Sequence, residues 1–242
     1  MATIILTGKG SKLSKRLTEP LTGDLEMAVS RLTTYYSWPN VTSDNNRLVY
    51  GTPGGAKKTI TIPPGAYEVE GLARYISMKL KANSDKGAFE LGFSSNTLKL
   101  YINVVKVGYS IHISESTIGP LLGFTLTPGV STTLGQGEQT SQNKVDITNV
   151  QEVLVHCDIM QGVYSSLDGD GVKLARQTVL DSFTPNVAPG YMITHEPRKL
   201  NYAPVLSNRI EEFRVWLTDQ SGNPIDNGTE RLTVNLRVRH RK

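Results

Sequence analysis

Phe213-Arg214-Val215-Trp216-Leu217-Thr218 and Arg231-Leu232-Thr233-Val234-Asn235-Leu236-Arg237-Val238-Arg239 decide how the rest of the chain reads. Apolar and polar residues alternate in both runs. Side chains on a strand point to opposite faces in turn, so each run sets one face on a core and the other toward water or a neighbour. Between them, Asp219-Gln220-Ser221-Gly222-Asn223-Pro224-Ile225-Asp226-Asn227-Gly228 is rich in residues that tolerate turn dihedrals. Ile210 to Arg239 is thus a pair of half-buried strands, which need further sheet to cover them. Nothing in the pair has the make-up of a reaction centre.

The same alternation recurs upstream. Asp24 to Tyr36 sets Leu25, Met27 and Val29 on one face and Glu26, Ala28 and Ser30 on the other, and Trp38-Pro39-Asn40 ends it. Short strands follow at Arg47–Tyr50 and Lys58–Ile62, with a Thr52-Pro53-Gly54-Gly55 turn between them. After Pro63-Pro64-Gly65 the period changes. Val69, Leu72, Ala73, Ile76 and Leu80 form the stripe of a surface helix, predicted at about 67–81. Glu68 and Glu70 at its start and Lys79 and Lys81 at its end suit the helix dipole. Its Tyr67 and Tyr75 read as packing residues rather than a binding box.

Phe89, Leu91 and Phe93 pair through the turn Ser94-Ser95-Asn96 with Leu98, Leu100, Ile102 and Val104, and Tyr109, Ile111 and Ile113 make the next strand. Residues 125–142 are Thr, Gly, Ser and Gln with little to bury, and are expected to form a long exposed loop. Val153 to Ile159, Thr178 to Phe183 and Tyr191 to His195 complete about ten strands around one helix, with turns at the spacing of a β-sandwich.

At 242 residues an all-β sandwich fits one domain. No apolar run approaches the roughly 20 residues of a membrane helix, and no basic residue precedes the short apolar stretch near Met1 as in a signal peptide. A single cysteine excludes an internal disulfide framework and points to a reducing compartment. The net charge is +4, but it is unevenly placed. Lys9, Lys12, Lys15 and Arg16 near the start and Arg237, Arg239, Arg241 and Lys242 at the end together exceed it, so the rest of the chain is net acidic. Residues 1–23, aperiodic from Gly8 on, read as an extended basic arm before a single domain at 24–242. Basic ends on an acidic body suit contact with phosphate or an acidic partner surface, or simply keep frayed ends soluble.

Reaction chemistry finds little support. His112, His156, His195 and His240 lie in separate segments, without the H-x-H or H-E-x-x-H spacing of a metal site. His156-Cys157-Asp158 resembles a nucleophile with its base, but strand neighbours face opposite ways, and Cys157 shares its face with Val155 and Ile159. Asp168-Gly169-Asp170-Gly171 lacks the glutamate that completes a calcium loop. Gly-x-Ser-x-Gly and a phosphate-cradling Gly-rich loop are absent too. The sequence is therefore expected to be no enzyme, with no cofactor.

An ordered series of segments resembles the minor capsid (penton) proteins of Polinton/Maverick elements and adintoviruses. It runs through Ile60-Thr61-Ile62-Pro63-Pro64-Gly65-Ala66-Tyr67, Ile118-Gly119-Pro120-Leu121-Leu122-Gly123-Phe124, Val155-His156-Cys157-Asp158, Pro189-Gly190-Tyr191 and Tyr202-Ala203-Pro204-Val205. It ends in Ile210 to Arg239, and the likeness spans roughly residues 24 to 239. The resemblance implies a single jelly roll of two antiparallel sheets with one inserted helix. It also implies a pentameric vertex subunit of an icosahedral virion capsid, partnered by a major capsid protein of double jelly-roll type. Basic ends then suggest contacts with packaged DNA or neighbouring subunits through Lys9, Lys12, Lys15, Arg16, Arg239, Arg241 and Lys242. The residues alone also allow a lectin-like jelly-roll module that binds carbohydrate, with Trp38, Trp216 and Asp168 as the nearest candidates.

Overall fold

The computed structural model describes residues 2–127, 129–147, 150–160, 163–165 and 175–241, with 163–165 and 175–177 by backbone alone. The Asp168 region and Lys242 lie outside the described residues. Three strands open the chain: β1 (Ala2–Lys9), β2 (Lys12–Thr22) and β3 (Leu25–Tyr35). Then come β4 (Arg47–Gly51), β5 (Lys57–Thr61), helix α1 (Val69–Ala82), β6 (Phe89–Ser94), β7 (Lys99–Val104), β8 (Ser110–His112), β9 (Thr133–Leu134) and β10 (Gly137–Thr140). The chain closes through β11 (Val153–Cys157), β12 (Val163–Ser165), β13 (Ala175–Gln177), β14 (Val179–Phe183), β15 (Met192–His195), β16 (Ala203–Pro204), β17 (Arg209–Asp219) and β18 (Arg231–His240).

Two compact units share this chain: Met1–Trp38 with Val150–Lys242, and Pro39–Asn149. In the first, one sheet runs β1-β18-β3-β15, with β16 also on β3, and the other runs β14-β11-β17-β2. All their pairings are antiparallel. Successive strands pass from one sheet to the other, except that β11 and β14 stay together, as do β15 and β16. That alternation is a jelly roll, as predicted. Alternating residues fill its interior: Leu6 from β1, Met27 and Leu32 from β3, Val155 from β11, Phe213 and Leu217 from β17, and Val234 and Leu236 from β18. The hairpin read first from the sequence supplies an inner strand to each sheet, since β17 and β18 both have neighbours on either side.

The structure corrects three expectations. Residues 1–23 are not an extended arm, because β1 and β2 are the edge strands of the two sheets. β2 hides its nature because its apolar residues Leu13, Leu17 and Leu21 stand four apart, with Lys15 and Glu19 between. Its register with β17 is regular at Lys12–Arg16 and resumes at Leu21, so Pro20 falls in the irregular stretch, where an edge strand tolerates proline. The jelly roll does not occupy 24–242 as one domain, because residues 39–149 gather around a core of their own, inserted in sequence between β3 and β11. Residues 125–142 are not loop throughout, because β9 pairs with β8 and β10 with β7, with Leu134 as a buried anchor.

The inserted unit has a β10-β7-β6 sheet and a β5-β4-β8-β9 sheet. The helix begins two residues later than the pattern predicts, and its stripe of Leu72, Ile76 and Leu80 is buried among Leu48, Ile60, Leu100 and Ile102. Phe89 packs edge-on against Tyr50, with ring centroids 5.6 Å apart. One carboxylate ties this unit together. Tyr50 Oη and Lys58 Nζ each donate to Asp85 Oδ2 at 2.8 Å, and Tyr109 Oη donates to Oδ1 at 2.8 Å. The hydrogen bond from Lys58 leads in holding the Asp85 carboxyl below its usual range. Burial leads in pushing the Tyr50 phenol up to about 12.

Candidate functional site

The three consecutive residues with the look of a nucleophile are separated by the pleat. Cys157 points into the jelly-roll core, fully buried, and burial pushes its thiol up to about 12. A thiol so held carries no thiolate at neutral pH. His156 points the other way, stacked on Trp216 with ring centroids 5.1 Å apart and planes within 7°. Its Nε2 lies 2.8 Å from the Thr218 hydroxyl, and burial lowers its pKa, so it is neutral at pH 7. Asp158 accepts from Arg214, whose Nε donates to Oδ2 at 2.9 Å and whose backbone N–H donates to Oδ1 at 2.8 Å. Each side chain is thus engaged in holding β11 to its neighbours. Among the described residues, no group of three or more His, Cys, Asp or Glu is placed to hold a metal ion.

Of the candidates for a carbohydrate platform, the two tryptophans are engaged by neighbouring rings. Trp38 is 3% exposed and packs on Tyr36 at 4.6 Å between centroids. One face of Trp216 is covered by His156.

Of the basic candidates, Lys9, Lys12, Lys15, Arg16 and Arg239 are strand residues and Arg241 follows the end of β18, and the structure does not bring them together. Lys9 ends β1 opposite Arg231, at the start of β18. Arg239 lies opposite Glu26 near the far end of β18, and the Arg241 N–H donates to the Asp24 carbonyl beyond it. Eight residues of strand separate Arg231 from Arg239, about 26 Å. Lys12, Lys15 and Arg16 belong to β2 of the other sheet, opposite Trp216, Phe213 and Glu212. Arg239 is already held, since its Nε donates to Glu26 Oε1 and its guanidinium lies 3.7 Å over the Tyr202 ring.

What stays open is the margin of the sandwich. At edge strand β15, Met192 stands opposite Tyr35, and both are exposed beside Tyr191, which is 67% exposed. At the other edge of the same sheet, β1 exposes Ile5. Sequence reasoning did not single out these residues. The signal was faint: an apolar residue on the outward parity of a strand otherwise lined by Thr and Lys. The sheet face between the two edges carries Arg31, Arg231, Arg237 and Arg239.

No family model matches the chain, and no curated protein matches it in sequence. Among solved structures, the penton protein of mavirus is similar over 98% of this chain and 98% of its own, with a TM-score of 0.51 at 9% identity. A cryo-EM structure of the Sputnik virophage includes a chain similar over 98% of this one and 97% of its own, with a TM-score of 0.47 at 14% identity. Across almost its whole length, this chain has the fold of the mavirus penton protein.

Proposed function

We propose that the chain is a penton subunit, five copies of which close a vertex of an icosahedral virion capsid beside a major capsid protein of double jelly-roll type. The observation that carries this reading is the fold shared with the mavirus penton protein over 98% of both chains. The ordered likeness to Polinton/Maverick and adintovirus pentons, from Ile60 to Arg239, points the same way.

Physical chemistry supplies a reason the molecule suits such work. The jelly roll completes its own core, so its edges are free for head-to-tail contacts, and contacts of that kind generate a closed ring when the rotation between copies closes. Exposed apolar groups lie at two of those edges, Ile5 on one and Met192 with the neighbouring Tyr35 on the other. A structural role without catalysis agrees with a cysteine held as core and with His156 held by Trp216 and Thr218. A single buried thiol also suits folding in a reducing compartment. The basic residues at the two ends are spread over both sheets rather than gathered in one shared tail: those on the β1-β18-β3-β15 sheet fit contacts with packaged DNA, and Lys12, Lys15 and Arg16 on β2 fit contacts with adjoining subunits.

Negative-stain electron microscopy of the purified full chain tests the reading. Rings with five-fold symmetry are expected. Single particles of one chain at every concentration, together with a melting temperature raised by added glycans, would instead identify a carbohydrate-binding module.

A further inference from the structure

One face of the β1-β18-β3-β15 sheet carries cations that, among the described residues, no carboxylate answers. Leu232, Val234, Leu236 and Val238 fill the core, so the odd-numbered residues of β18 point outward. Lys9 pairs with Arg231, and Arg237 stands between Thr3 and Ala28. Residues directly opposite on neighbouring strands share a face, and like charges so placed are destabilising. Lys9 and Arg231 are such a pair. The ion pairs of this face are Arg31 with Glu196 and Arg239 with Glu26. Among the described residues, neither Lys9, Arg231 nor Arg237 has a carboxylate partner. The face thus holds unpaired cations on two paired strands, and two of them repel until an anion comes between.

We propose that this face binds the phosphate backbone of a nucleic acid, with Lys9, Arg231 and Arg237 as the phosphate contacts. Six residues of strand separate Arg231 from Arg237, about 20 Å, the rise of about six base pairs of duplex. Threonine hydroxyls at Thr3 and Thr7 flank the cations and add donors of the kind that position phosphates. An acidic protein partner fits less well. Protein interfaces draw on several buried aromatic and apolar anchors, and beside the cations of β1 and β18 this face exposes a single large apolar side chain, Ile5, among the described residues. Binding of this kind reads no sequence. The chemistry stands without the shell reading and rests on it only for the source of the polymer, a packaged genome.

The test is fluorescence anisotropy of the full-length protein with a duplex of about 30 base pairs and arbitrary sequence, from about 50 to 200 mM salt. The variant Lys9→Gln/Arg231→Gln/Arg237→Gln should bind at least about tenfold more weakly at the low-salt end. Its slope of log affinity against log salt should be shallower by about 2.7, for three lost phosphate contacts. The variant Lys12→Gln/Lys15→Gln/Arg16→Gln removes equal charge from the other sheet and should stay within about twofold of the parent. Equal losses in both variants, or no loss in the first, would overturn the site. So would binding to polyglutamate as tight as to DNA, with the same dependence on these residues, which would assign the face to an acidic protein. Should the triple variant misfold, Arg237→Gln alone should lower the slope by about 0.9, and an unchanged slope overturns the proposal. Five-fold rings without DNA binding would remove this inference and leave the penton reading intact. DNA binding by a protein that forms no rings would do the reverse.

Discussion

Asp85 shows how much a single side chain can organise. It is 5% exposed and accepts from two phenols and an ammonium, so Asp85→Ala leaves Tyr50 and Tyr109 without their acceptor and Lys58 without its anion. The loss should be on the order of 2–3 kcal/mol in urea unfolding, and a change below about 0.5 kcal/mol would contradict the network. The pH dependence has a definite sign. Lys58 holds this carboxyl below its usual range, so near and below pH 4 the unfolded chain takes up a proton that the folded protein refuses. Its contribution is complete above the ordinary carboxylate pKa and is lost as pH falls through the folded value. His156 behaves alike around a higher pH. Burial lowers its pKa, so the stability it protects is whole above about 6.5 and declines below that as the ring is forced to charge. His156→Phe keeps an aromatic partner for Trp216 but cannot titrate, and should flatten the loss of stability between about pH 6.5 and pH 5. Parallel curves for the parent and this variant would show that another group titrates there. His156 was legible as a polar-face residue, but its stack on Trp216 was not, because that needs the β11–β17 register.

At the scale of elements, the sequence was most readable where the period was strict. Leu232 through Val238 alternates without fault and is an inner strand, and the spacing of Leu72, Ile76 and Leu80 gave the helix to within two residues. The opening of the chain was misread because an edge strand buries little. In β2, Leu13 is the one fully buried side chain, and the strand is defined by backbone pairing with β17, which lies nearly two hundred residues away in sequence. Removing residues 1–23 tests the correction. A dispensable arm would leave folding unchanged. Loss of β1 and β2 takes the edge strand from each sheet and bares β18 and β17, so the truncated chain should lose its cooperative thermal transition in circular dichroism. A truncated protein that melts like the parent would contradict the assignment.

At the scale of the whole molecule, the sequence named most of the strands with strict alternation but not the sheets they join. The alternation in Arg47–Tyr50 is no different from that in Val153–Cys157, yet one belongs to the inserted unit and the other to the jelly roll. That allocation depends on contacts far apart in sequence, which periodicity cannot carry. The basic residues were misgrouped for the same reason, since closeness in sequence put Lys9 with Lys12 while the jelly roll sends them to different sheets. The outward face of β18 escaped notice because its arginines look like the polar half of an ordinary strand until their neighbours are known. A ring-forming shell subunit must associate in solution, and its mass there decides the matter. Light scattering coupled to size exclusion should give five times the 26.5 kDa of one chain, in a peak that Ile5→Glu and Met192→Glu each shift toward single chains. A mass of one chain at every concentration, unchanged by either substitution, would contradict it.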